Sequence, residues 1–274
     1  MGLGLMGGSF AYALRGFKNC KIIGTDIDPQ VLKKALEAGA IDKGADTLKE
    51  AVEQADIAIF CTPPKAILSC LESHIGYFKE GAVITEICGV KQGIVSAVTP
   101  KIPPGVDYIG LHPMAGKEVD GFDNADAAIF RNAGFLLILH DRCRESTINL
   151  MKELSAYVGA GRIGINHAQE HDGIIAYTSD LMHIAATALC EEYPPNMTMA
   201  HTAGAFRDCT RIANINTALW TELLTANAEN IIPCLDTYIK NLSAFNTALK
   251  KNDQSFIYDF LDKACVNKKE MQKR

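Results

Sequence analysis

Gly2-Leu3-Gly4-Leu5-Met6-Gly7, followed at once by Gly8, is the stretch that decides the fold. Its spacing is G-x-G-x-x-G: the first glycine permits a tight turn, the second lets a pyrophosphate approach the backbone, and the third lets helix pack on strand. The apolar stretch 10–14 continues as a helix whose first amides can hold phosphate. Residues 21–25 read as the next strand, and Asp26 ends it about 20 residues beyond the loop, where a carboxylate accepts hydrogen bonds from both ribose hydroxyls. Such a carboxylate repels a 2′-phosphate, and no arginine directly follows it, so NAD is expected over NADP. The competing reading is that Asp26 and Asp28 only cap the helix after Pro29. Cys61-Thr62-Pro63-Pro64 ends a further strand on the side where open α/β sheets bind ligands. The cofactor set is therefore Gly2, Gly4, Gly7, Asp26, Thr62 and Pro63.

A dinucleotide fold carries a strand ahead of its glycine loop, central in the order 3-2-1-4-5-6. Here Met1 already lies on the loop. The expectation is a chain truncated ahead of the loop, with the first strand missing and its two neighbours left with unpaired edges.

Short apolar runs at 20–26, 57–61, 82–87, 108–111 and 135–140 read as buried strands, continuous in character rather than alternating. Helical patterns at 29–38 and 47–54 lie between them. Strand and helix in alternation argue for a parallel sheet with helices on its faces. From His167 the pattern turns helical, with Leu235, Tyr238, Ile239, Leu242, Phe245 and Leu249 at helical spacing between turn signals at Pro233 and Asn252-Asp253. The expected organisation is an α/β Rossmann-type parallel-sheet domain over residues 1–166, followed by an all-α domain over 167–274. The apolar helix faces suit either packing between subunits or an ordinary core, and the lysine-rich tail from Lys268 is expected to fray.

The 274 residues suffice for one large or two ordinary domains, and 48% hydrophobic with 22% charged residues suits a globular chain. With a net charge of −5 and scattered basic residues, no nucleic-acid partner is expected. Apolar stretches such as 57–61 and 135–139 are too short to span a bilayer, so no membrane partner is expected, and no signal peptide is readable. Nine cysteines, an odd number with no C-x-x-C pair, read as reduced thiols in the cytoplasm.

Gly110-Leu111-His112-Pro113-Met114-Ala115-Gly116 places a histidine at the end of a strand, where it can accept a proton while hydride leaves the same carbon for a nicotinamide. Alone, His112 would read as a buried histidine bonded to backbone. Taken with the glycine loop, with Phe206-Arg207-Asp208-Cys209-Thr210-Arg211-Ile212-Ala213 and with Trp220, it resembles the prephenate dehydrogenase family over nearly the whole chain. That resemblance implies a Rossmann-type domain, a helical dimerisation domain forming a homodimer, and NAD-dependent oxidative decarboxylation of prephenate to 4-hydroxyphenylpyruvate in tyrosine biosynthesis. Some members use arogenate and yield tyrosine directly.

The resemblance also implies roles. His112 would take the proton of the ring hydroxyl, and Arg211 would hold a substrate carboxylate with its planar fork. His183, Glu118 and Gly204 would line the substrate site, with Trp220 packed nearby. Read as bare residues, Arg211 could instead pair with Asp208, and Trp220 could be core. Two departures stand out: Cys88-Gly89-Val90-Lys91 lacks the serine common before Val-Lys, and Ser179-Asp180-Leu181-Met182-His183 replaces Ser-His-Leu-Pro-His.

Three rival readings remain. His167-Ala168-Gln169-Glu170-His171 matches the H-x-x-E-H of some zinc peptidases, against a plain charged first turn; no metal is expected. Another Rossmann-plus-helical-domain dehydrogenase, such as a 3-hydroxyacid enzyme, is the second. An inactive NAD-binding protein lacking its first strand is the third.

Overall fold

The computed structural model describes residues 1–273. The chain divides into two compact units, the first Met1–Asn227 and the second beginning at Ala228. Helices and short strands alternate at the start of the first unit: α1 (Leu5–Ala13), β1 (Ile23–Gly24), α2 (Pro29–Glu37), β2 (Lys43–Gly44), α3 (Leu48–Gln54) and β3 (Ile57–Phe60). Then come α4 (Pro64–His74), β4 (Val83–Glu86), α5 (Gln92–Val98) and β5 (Asp107–Tyr108). β1 pairs with β2, and β3, β4 and β5 lie side by side, all parallel. Helix starts are set by local chemistry: Asp28 accepts from the Gln30 amide at 2.8 Å ahead of α2, and Thr47 accepts from the Glu50 amide at 3.2 Å ahead of α3.

Both sheet faces are buried, which is why these strands are apolar throughout. In β4, Val83 packs in a cluster with Phe10, Phe135, Met151 and Leu154. Its neighbour Ile84 packs in the opposite cluster with Ile67, Leu71, Ile94 and Tyr108.

The run 108–111, expected as one strand, is two. After β5 the chain leaves β4 and forms β6 (Gly110–Pro113), antiparallel to β7 (Gly134–Leu139), which is parallel to β8 (Arg162–His167) across from helix α6 (Glu145–Val158). The sheet system is thus parallel apart from this one pair, among the described residues. The change of neighbour carries His112 past the end of β4.

β1 and β3 do not pair with each other. Met1 and Gly2 bridge one end of the gap: the Met1 ammonium donates to the Ile59 carbonyl at 2.8 Å, Cys61 N–H to the Met1 carbonyl at 2.9 Å, and Gly2 N–H to the Thr25 carbonyl at 2.9 Å. Burial pushes the pKa of that ammonium below its ordinary value. The rest of the gap is a groove of about 740 Å³ lined by Ile23, Gly24, Ile57, Ile59, Val83 and Leu154.

Four further helices complete the unit: α7 (Ala168–Ile175), α8 (Leu181–Cys190), α9 (Gly204–Thr210) and α10 (Thr217–Ala226), with a π turn (Ala176–Asp180) joining α7 to α8. The continuous run Ala168–Cys190 is long and apolar enough, by length and composition, to cross a membrane, contrary to the sequence expectation that no segment is. Its His171, Asp172 and Asp180 are buried and hydrogen-bonded within the protein.

The second unit is a helical pair, α11 (Ala228–Lys251) and α12 (Gln254–Met271), hinged at Asn252 (φ 52°) and capped by Asp253, which accepts from the Phe256 amide at 3.0 Å. Pro233 does not bound α11 as expected but lies inside its second turn, at the loss of one backbone donor. The tail expected to fray from Lys268 is helical through Met271.

Candidate active site

The glycine loop is packed where it must be and open where a ligand would sit. Gly2 adopts φ +77°, and a Cβ on it would lie 2.6 Å from Thr62 Cγ2; a Cβ on Gly7 would lie 1.7 Å from the Gly2 carbonyl oxygen. A Cβ on Gly4 would meet nothing within 4 Å. Gly4 is the N-cap of α1 and offers no side chain to its first amides, which have no partner within the helix. Thr62 Oγ1, at the end of β3, is buried with no hydrogen-bond partner. Free amides, an open approach and an orphaned hydroxyl together fit a dinucleotide's phosphates. Asp26 closes the other side, its carboxylate accepting from Leu3 N–H at 2.6 Å and Asp28 N–H at 3.0 Å. Each oxygen retains a further lone pair.

Beside this loop opens a cleft of about 1110 Å³. Gly4, Thr62 and Pro63 form one wall, and His112, Glu118, His183 and Arg211 line the same space. Gly2, Gly7, Asp26 and Gly204 are not among the lining residues; Gly204 is the exposed first residue of α9.

His112 stands on β6 above a fully buried ion pair. Lys91 Nζ donates to Glu86 Oε1 at 2.7 Å, to the Leu111 carbonyl at 2.8 Å and to the Glu86 carbonyl at 3.3 Å. Glu86 also accepts from Tyr108 Oη at 3.1 Å and Cys88 N–H at 2.8 Å, so the pair's bonding capacity is well used. Burial first, then the positive charge of Lys91, pushes the His112 pKa well below its ordinary 6.5. His112 is therefore neutral near pH 7. Its Nδ1 lies 2.8 Å from His171 Nε2, and His171 Nδ1 lies 2.7 Å from Asp172 Oδ1. Both ring nitrogens of His171 thus have partners within the protein.

Gly89 leaves room at the point where a serine would sit. A Cβ there would lie 3.6 Å from Leu223 Cδ2 and 3.9 Å from His112 Nε2, ordinary contact distances. His183 stacks on Trp220 with ring centroids 3.6 Å apart, and its Nδ1 meets the Ser179 carbonyl at 3.0 Å, leaving Nε2 for a ligand. Burial lowers its pKa also. Arg211 pairs with Glu118 rather than with Asp208, which holds its guanidinium at the cleft. Asp180, in the floor of the cleft, accepts from Asn227 Nδ2 at 2.7 Å, and burial raises its pKa to about 6.

The family resemblance marks His171-Asp172 as a matching position without a role; the contact of His171 with His112, across 59 residues, and the Lys91–Glu86 pair, across 5, were not assigned by the sequence.

Comparison with known proteins gives a consistent picture. Residues 10–163 match the nucleotide-binding domain family of prephenate dehydrogenase, and residues 167–263 match its dimerization domain family. The chain is 30% identical over 273 residues to a prephenate dehydrogenase of Bacillus subtilis, covering 96% of this chain and 72% of the relative. It is 27% identical over 266 residues to a cyclohexadienyl dehydrogenase of Zymomonas mobilis, covering 94% and 90%. The crystal structure of A. aeolicus prephenate dehydrogenase in complex with hydroxyphenyl propionate and NAD+ superposes with a TM-score of 0.87 at 25% identity, covering 98% of this chain and 96% of that one. Synechocystis arogenate dehydrogenase superposes with a TM-score of 0.81 at 25% identity, covering 98% of both chains.

Proposed function

This chain belongs to the prephenate dehydrogenase family, and we propose that it catalyses the NAD-dependent oxidative decarboxylation of prephenate to 4-hydroxyphenylpyruvate, a step of tyrosine biosynthesis. The observation that carries the reading is the shared cleft: the face of the glycine loop that suits a dinucleotide and a neutral, half-buried histidine line one space.

Bound NAD supplies the hydride acceptor. The chain's residues do the rest. His112 Nε2 takes the proton of the ring hydroxyl as that carbon is oxidised, a role that requires the neutral form its burial enforces. Arg211, held by Glu118, pairs with a substrate carboxylate, and His183 offers Nε2 beside it. The carboxylate opposite the hydroxyl leaves as carbon dioxide, and aromatisation drives the reaction. The cleft chiefly aligns donor and acceptor. Asp26 sets the preference for NAD. Gly204 is assigned to the substrate site only on the family resemblance.

A homodimer through the helical domain is part of the proposal. It is supported by the description of the matching C-terminal family and by Ile239, Leu242, Leu249 and Leu261, all more than half exposed on the helical pair. A reducing cytoplasm is assigned on the cysteine pattern.

Arogenate is the second reading, favoured by the likeness to an arogenate dehydrogenase structure. The test is direct: incubate purified protein with NAD and either prephenate or arogenate, and identify the product by chromatography. Faster formation of 4-hydroxyphenylpyruvate supports the proposal. Turnover of arogenate alone moves the assignment to the second reading, and turnover of neither overturns both.

A further inference from the structure

We propose that His171 and Asp172 act as a positioning relay that fixes the proton of His112 on Nδ1 and so leaves Nε2 as the base in the cleft. The proposal rests on the reading of His112 as that base. It is argued from the order of the contacts, Asp172 to His171 to His112, and from which atoms can only accept.

Asp172 is 3% exposed, and its carboxylate is already held by backbone: Lys91 N–H donates to Oδ1 at 2.9 Å and Gln92 N–H to Oδ2 at 2.8 Å. An ionised carboxylate only accepts, so His171 Nδ1, 2.7 Å from Oδ1, carries a hydrogen. The relay takes His171 in its neutral form, with a lone pair at Nε2; His112 Nδ1, 2.8 Å from that nitrogen, is then the donor. The remaining lone pair of His112 is on Nε2, the atom nearest the open Cβ position of Gly89 on the cleft wall. Each bond in the chain dictates the next, from backbone amides to catalytic nitrogen.

The relay also answers an electrostatic difficulty. The titratable groups around His112 are Lys91 from the start of α5, Glu86 from β4, and His171 and Asp172 from α7; the Cys88 thiol, its pKa pushed up to about 12, stays neutral. Lys91 opposes a second positive charge and thereby keeps His112 unprotonated at rest. When Nε2 takes the hydroxyl proton, the imidazolium needs a compensating dipole. His171, backed by the Asp172 carboxylate, supplies it without any proton leaving Nδ1. The departing hydride and carbon dioxide are unaffected by this arrangement. With Gly89 in place of a serine, no side chain at that position offers the hydroxyl a second contact, so orientation of the base falls to the relay.

Asp172→Asn reverses the chain at little change of shape. The asparagine oxygen can keep the backbone amides while its NH₂ donates to His171 Nδ1, so His171 carries its proton on Nε2 and His112 is forced to the Nε2–H tautomer. The expected result is a loss in kcat of about 10²–10⁴-fold, as in other relays whose tautomer is reversed, with KM and NAD affinity within a few-fold. His171→Gln keeps an acceptor for His112 Nδ1 and should retain clearly more activity than His171→Leu. A substrate-free readout accompanies the kinetics: nitrogen-15 NMR of histidine-labelled full chain should show His112 protonated on Nδ1 in the parent and on Nε2 in Asp172→Asn. A parent that turns over substrate while Asp172→Asn keeps its rate within about threefold overturns the relay. So does a parent His112 protonated on Nε2. If the parent turns over neither prephenate nor arogenate, the functional reading fails separately, and the NMR result still decides the relay.

Discussion

Lys91 Nζ donates to the Leu111 carbonyl at 2.8 Å, one residue ahead of His112, while its charge is matched by Glu86 at 2.7 Å with neither side chain exposed. This bond ties the end of β4 to the strand that carries His112. Removing one partner of a buried pair leaves an uncompensated charge, so Lys91→Met is expected to destabilise the fold by about 3–5 kcal/mol. Adding Glu86→Gln should recover part of that loss. Urea unfolding of the two variants checks it; a single variant as stable as the parent would show that the pair is dispensable.

Asp26 accepts from the Leu3 amide of the glycine loop. Asp26→Ser removes both the charge that repels a 2′-phosphate and a charge-assisted bond. The kcat/KM ratio for NAD over NADP should fall by at least about tenfold. Equal use of both cofactors by the parent would contradict this assignment.

Asp180 titrates at about 6 in the fold against an ordinary 3.8, chiefly because burial disfavours its charge. The folded state therefore holds this proton more tightly than the unfolded state between about pH 4 and 6. Its contribution makes stability fall as pH rises through that window and stay level above it. Asp180→Asn should remove this slope and raise stability at pH 7.5 by roughly 1–3 kcal/mol. Denaturant titrations of both proteins at several pH values measure the difference, and parallel pH profiles would refute it.

The groove between β1 and β3 is lined by apolar residues of both strands, and among the described residues Met1 and Gly2 bridge the two strand edges. An added N-terminal segment of about six β-branched or apolar residues should pair with both edges. Calorimetry is expected to show a higher Tm, and titration tighter NAD binding, for the extended protein. Unchanged Tm and affinity would mean that the bridge at Met1 already suffices.

Much of this architecture was legible because buried parallel strands must be apolar and glycine loops must be spaced. β3, β4 and β7 fall within a residue or two of their apolar runs. β8 was not read, since Arg162, Gly164 and Asn166 interrupt it and half its surface is open. The break between β5 and β6 was hidden because a continuous apolar run does not record which neighbour each residue pairs with. At the site, motif spacing brought out His112, Thr62 and Arg211. Nothing local could reveal that His171 points at His112, because that contact is made only when α7 packs behind β6.

Whether His112 is the base is decided by kcat of His112→Asn for prephenate with saturating NAD. A fall of about 10²–10⁴-fold is expected, with NAD affinity unchanged. A variant that forms 4-hydroxyphenylpyruvate within a few-fold of the parent rate would contradict it.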